Sequence, residues 1–75
     1  MIEKVEGIVV SELEYGETSK IINVLTRELG MVGMMAKGAR TMKSSLRSTT
    51  NKLTYGTFFI KYNENKLSNL TSVDI

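Results

Sequence analysis

The sequence contains no cysteine, no histidine, no proline and no tryptophan. Without cysteine, no disulfide can staple the fold, and without cysteine and histidine the usual zinc frameworks are absent. The same two absences remove the usual nucleophile–base triads and dyads. No apolar run approaches the ~18 residues of a membrane-spanning helix. The opening "MIEKVEG" is acidic and mixed, unlike a signal peptide. The default expectation is a cytoplasmic protein. At 75 residues the chain makes one domain at most. A domain of this size buries only about 60% of its unfolded surface, so packing and backbone pairing must supply a marginal stability.

Acids are also missing from the middle of the chain. Residues 1–28 hold six acids and three cations, residues 29–63 hold six cations and no acid, and residues 64–75 hold two acids and one cation. A net charge of only +2 therefore conceals a strongly basic centre. Such segregation bears on partners rather than on fold. It is densest in "KGARTMKSSLR", residues 37–47, where four cations stand among small residues.

What is present reads as short elements cut by turn signals. "VEGIVVSEL" (5–13) is β-branched and predicts a strand. "YGETS" (15–19) predicts a turn. "KIINVLTRELG" (20–30) is ambiguous: Ile21, Ile22, Leu25 and Leu29 share a helical face, but its β-branched residues disfavour a helix. "MVGMMAK" (31–37) suits a strand paired back through "RELG", with Gly30 in a left-handed conformation. Residues 38–52 are polar, with one weak helix expected near 43–50 and Leu46 folding back onto the body. "LTYGTFFIKY" (53–62) is an aromatic strand with Gly56 as its expected bulge, and 67–74 forms the last strand. The expected core includes Ile8 or Val9, Ile22, Val24, Val32, Met34 and Leu70, with Phe58 and Phe59 also directed inward. Met31 and Met35 should face outward. Five strands with an irregular segment after the third are the plan of an all-β, five-stranded Greek-key OB-fold barrel, with a loop or short helix between strands 3 and 4.

Two groups of residues carry chemistry. Lys37, Arg40, Lys43, Arg47 and Lys52 could each neutralise a phosphate and release a counterion, with Ser44, Ser45 and Ser48 adding hydroxyl bonds. The alternative is a solvated basic loop. Among the aromatics, Tyr15 and Tyr62, near turns, are candidates for stacking bases. The glycines form no phosphate-loop pattern, and Ser44–Ser45 has no base near it in sequence. No enzyme, metal or cofactor is expected.

"EGIVV" (6–10), "YGETSKI" (15–21), "LTRELG" (25–30) and "AKGAR" (36–40), in that order and spacing, with "YGTFFI" and the closing "LTSVDI", resemble the N-terminal domain of the RecO family of recombination mediators. The resemblance runs the length of the chain. It implies an OB-fold, which makes 20–26 a strand. It also implies a longer parent, with a helical domain after residue 75 and a zinc-binding element in some members. Residues 1–75 are then a single OB-fold domain, an N-terminal fragment. The implied function is sequence-independent single-stranded DNA binding in recombinational repair. The implied partners are RecR, single-strand-binding protein and, indirectly, RecA. Two rivals remain: an OB module that docks RecR or the missing C-terminal domain while DNA is held elsewhere, and a small RNA-binding OB domain.

Overall fold

A computed structural model describes residues 1–75. Five strands and one helical turn follow in the order β1 (Ile2–Tyr15), β2 (Ser19–Thr26), β3 (Gly30–Ala36), α1 (Leu46–Thr49), β4 (Tyr55–Lys61) and β5 (Ser68–Asp74). The strands close into a barrel in the order β1-β2-β3-β5-β4. All neighbours are antiparallel except β3 and β5, which meet in parallel at Met34–Ser68 and Met35–Asn69. This is the OB-fold expected from the sequence. The short β3–β5 contact closes the barrel around one hydrophobic core. The segment 20–29, open to either reading by pattern, is strand and turn.

β1 extends beyond the expected 5–13 because it serves two neighbours. Residues 2–8 pair with β4 and residues 7–15 with β2. Gly7 stands where the two ladders overlap, opposite both Thr26 and Gly56. A Cβ on Gly7 would lie 2.6 Å from Val24 Cγ1 and 2.7 Å from the Leu25 carbonyl oxygen. Gly7→Ala should therefore force the barrel apart locally, at the ~1–3 kcal/mol typical of overpacking. In a domain this small, that lowers the melting temperature by about 4–8 °C per kcal/mol. A thermal melt with Gly16→Ala alongside separates the close approach at Gly7 from the backbone strain of a positive-φ glycine, since Gly16 has φ +62° and open space around it.

The core follows the two-residue period. Val5 and Val9 of β1, Ile22 and Val24 of β2, Val32, Met34 and Ala36 of β3, Phe58 and Ile60 of β4 and Leu70 of β5 are buried together. Phe59, expected inside, lies half-buried on the outer face, because alternation admits only one of two adjacent aromatics. Gly56 is not a bulge. It pairs in register with Gly7, and a Cβ there would lie 2.7 Å from the Asp74 carbonyl oxygen. The irregularity falls on the partner strand, where Thr71 is passed over between Leu70 and Ser72. Thr71 Oγ1 donates to the Phe59 carbonyl at 2.6 Å. This bulge resets the alternation, so Val73 as well as Leu70 packs against the core.

β4 begins at Tyr55 rather than at residue 53, because Leu53 takes φ 74°. The chain still pairs there: Leu53 N donates to the Val9 carbonyl (2.7 Å) and Val9 N to the Thr54 carbonyl (2.9 Å). The connector between β3 and β4 closes one end of the barrel with Ala39 and Leu46, both in the core cluster. Thr50 Oγ1 donates to the Leu46 carbonyl at 2.6 Å. The expected helix over 43–50 shrinks to the four residues Leu46–Thr49. Serine and threonine side chains compete for backbone groups here, as where Leu46 N donates to Ser44 Oγ.

Candidate nucleic-acid interface

The connector crosses the outside of the β1–β2 turn. Its first half is strapped down by the "KGAR" stretch. Gly38, at φ 68°, donates its N–H to Ser19 Oγ at 3.1 Å. Arg40 N donates to the Thr18 carbonyl at 2.8 Å. The Arg40 guanidinium donates from Nε to the Ser19 carbonyl (3.0 Å) and from Nη2 to the Gly16 carbonyl (2.6 Å). It also lies 3.5 Å from Glu14 Oε1. Arg40 is thus a half-buried tie that holds the turn, as well as a cation facing the connector.

The second half is fastened by Glu12, across the bulge in β1. Its Oε1 accepts from Lys20 Nζ at 2.9 Å and its Oε2 from Lys52 N at 2.7 Å. Lys20 Nζ also donates to Asn51 Oδ1 at 3.2 Å. The Lys20 side chain is only 7% exposed. The Lys20 hydrogen bond, then the Lys52 N–H, hold the Glu12 carboxyl below the usual carboxylate range, against the opposing effect of burial. A carboxyl depressed on folding stabilises the fold above its unfolded pKa, and that contribution is lost as pH falls through the folded value. Glu12→Gln should therefore be less stable than the parent at neutral pH, with the gap narrowing only in the acid range below the ordinary carboxylate value. Urea unfolding of both proteins across pH 3–7 measures this. A gap independent of pH would mean that the carboxylate charge does not hold the connector.

The cations named from sequence separate into two kinds. Lys37, Lys43, Arg47 and Lys52 are exposed, and none of their side chains meets a hydrogen-bonding or ionic partner within the chain. Arg40 is engaged as described. Lys20 was not foreseen, although a signal existed: it shares the inward parity of Ile22 and Val24, where a lysine must find a partner. Lys20, Arg40 and Arg47, with Met42, Ser44, Ser48 and Asn51, line a groove of about 770 Å³ between β2 and the connector.

A second surface lies on the outer face of the sheet. Cross-strand pairing sets Tyr55, Ile8, Leu25 and Met31 in one row over four strands, and Leu13, Ile21 and Met35 in another. Leu13, Leu25, Met31 and Tyr55 are between 49% and 65% exposed. Met31 faces outward as expected, and Met35 is half-buried. Tyr15, at the end of β1, and Tyr62, after β4, are exposed. No helix is long and apolar enough to cross a membrane.

Comparison with known proteins agrees with this architecture. A family model described as "Recombination protein O N terminal" matches residues 1–75. The chain is 49% identical over 61 residues to the DNA repair protein RecO of Bacillus cereus (strain AH187), covering 81% of this chain and 25% of that protein. The same figures hold for the DNA repair protein RecO of Bacillus anthracis and of Bacillus thuringiensis subsp. konkukian (strain 97-27). The chain thus spans about a quarter of the length of these relatives. Matched along its whole length, it belongs to the RecO family and corresponds to the family's N-terminal domain.

Proposed function

We propose that this chain is the non-catalytic, single-stranded-DNA-binding domain of a RecO-type DNA repair protein. The observation that carries the reading is the connector: four exposed cations, Lys37, Lys43, Arg47 and Lys52, have no partner within the chain, in a stretch from 29 to 63 that holds no acid. Lysines and arginines left unpaired on such a surface are free to replace condensed counterions along a phosphate chain. Binding of this kind is independent of sequence, because phosphates carry no base information. Tyr15, exposed beside the turn that Arg40 holds, offers a ring to stack one base. Repair in the cytoplasm, strand annealing, and dealings with RecR, single-strand-binding protein and RecA belong to the parent protein in this reading.

Fluorescence anisotropy with oligo-dT and with oligo-rU of the same length tests it. Binding to both, weakening steeply with salt, is expected. Clear preference for RNA would favour the RNA-binding alternative.

The apolar rows on the outer sheet face favour a second role, docking of a protein partner. Leu25→Asp combined with Met31→Asp should leave oligo-dT binding unchanged if that face serves a protein. Loss of DNA binding in this folded variant would move the nucleic-acid surface from the connector to the sheet.

A further inference from the structure

Lys20 is the least expected charge in the molecule. Its side chain is 7% exposed, yet it forms part of the groove lining. An ammonium has three protons to donate. Two are used, on Glu12 Oε1 and Asn51 Oδ1, which leaves one. Around it, Ser44 Oγ accepts from Leu46 N and keeps its own proton to donate, while the Ser48 hydroxyl has no partner in the chain. Arg47 adds an unpaired guanidinium. Arg40 presents the part of its fork not spent on the Gly16 and Ser19 carbonyls.

Charge decides what such a groove holds. Three cations line it, Lys20, Arg40 and Arg47. Two are already matched by carboxylates, Lys20 by Glu12 and Arg40 by Glu14. The net of three cations and two carboxylates is one positive charge. That balances a phosphodiester, which carries one negative charge. A terminal phosphomonoester approaches two at neutral pH and would be left undercompensated.

We propose that the groove seats a single internal phosphodiester of the bound strand, held by Lys20 from below and by Arg47, Ser44 and Ser48 from the connector. The inference rests on the DNA-binding reading and refines it. One phosphate is fixed in a built site and sets the register of the strand, while Lys37, Lys43 and Lys52 follow neighbouring phosphates from the open surface. Because Lys20 and the Lys52 N–H share Glu12, the seat is braced by the same bonds that fasten the connector.

The test is a heteronuclear NMR titration of the chain with the dinucleotide TpT, which carries one phosphodiester. Thymidine, which carries none, and thymidine 5′-monophosphate serve as comparisons. A ligand with one ionic contact binds in the millimolar range or weaker, which NMR can follow. TpT should shift the signals of Lys20, Ser44, Arg47 and Ser48. Thymidine should not, and the monophosphate should bind no tighter than TpT. Arg47→Ala should weaken TpT about two- to fivefold, the size expected from losing one solvent-exposed ion pair. The double variant Glu12→Gln with Lys20→Met removes both members of the buried pair together and should abolish the shifts at Ser44 and Ser48. Lys66→Ala, in the turn after β4, should change nothing. Shifts confined to residues outside the groove, undiminished binding in both groove variants, or monophosphate binding tenfold tighter than TpT would each overturn the proposal. Oligo-dT run in parallel separates the two claims. If it binds while TpT leaves the groove untouched, only the phosphodiester seat is lost. If oligo-dT does not bind either, the DNA-binding reading is lost with it.

Discussion

Phe58→Ala should strip the domain of a large share of its stability. Phe58 is among the largest side chains fully buried in the barrel, and it stands between Val5 of β1 and Val73 of β5. Truncating a buried phenylalanine costs about 3–5 kcal/mol, from lost transfer energy and the cavity left behind. A domain of this length holds only about 4–11 kcal/mol in total, at roughly 0.05–0.15 kcal/mol per residue. No disulfide is present to compensate. Phe59→Ala is the matched control: the same atoms are removed from a half-buried position on the outer face, and the loss should be markedly smaller. Urea unfolding followed by circular dichroism measures both. Equal losses would mean that the two phenylalanines share the core, contrary to the register.

Replacing Lys37, Lys43, Arg47 and Lys52 together by alanine should weaken oligo-dT binding by about 600-fold at ~0.1 M salt. The figure follows from counterion release. Each contact on a single strand contributes a salt exponent of about −0.7, worth about fivefold per site at that concentration. The fold should survive, since each of these side chains is exposed without a partner in the chain, and such substitutions usually cost less than about 0.5 kcal/mol. Arg40→Ala should behave differently. It abandons two backbone carbonyls at the β1–β2 turn, where hydrogen bonds from a charged donor contribute about 1.5–3 kcal/mol each. Its main effect should be a lower melting temperature, with a smaller change in affinity than its charge alone suggests. A quadruple variant that keeps its affinity and its fold would place the DNA away from the connector.

The strands were legible because their apolar residues alternate: Ile22 and Val24 in β2, and Val32 and Met34 in β3, lie inside as that pattern requires. Pattern alone did not settle 20–29, where helical and strand spacings coincide; the family resemblance did. Phe59 and Gly56 were misjudged for different reasons. Two adjacent residues of one strand cannot both face inward, so the position of Phe59 was open to reading from its own strand, whereas the bulge expected at Gly56 was not. Parity can be read within one strand, but the position of a bulge depends on the strand opposite, and here Thr71 carries it. Leu46 was legible as the only large apolar residue between Lys43 and Lys52. Ala39 was not, because a small residue gives no sign of burial. In the candidate site, the cations were visible as a run, but their division into ties and free charges was not. Arg40 becomes a tie only because the connector returns over residues 16–19, a contact between segments distant in sequence. Lys20 was legible in principle from its inward parity. Its significance emerges only when Glu12 and Asn51 are brought to it.

The most direct measurement is the salt dependence of oligo-dT binding by the parent chain and by the quadruple connector variant, with a thermal melt of each. Binding through four phosphate contacts gives a slope of log K against log salt of about −2.8 for the parent. The slope should collapse towards zero in the variant while the melt changes little. An unchanged slope in a folded variant would contradict the central claim, and residues 37–52 would then be a solvated basic loop.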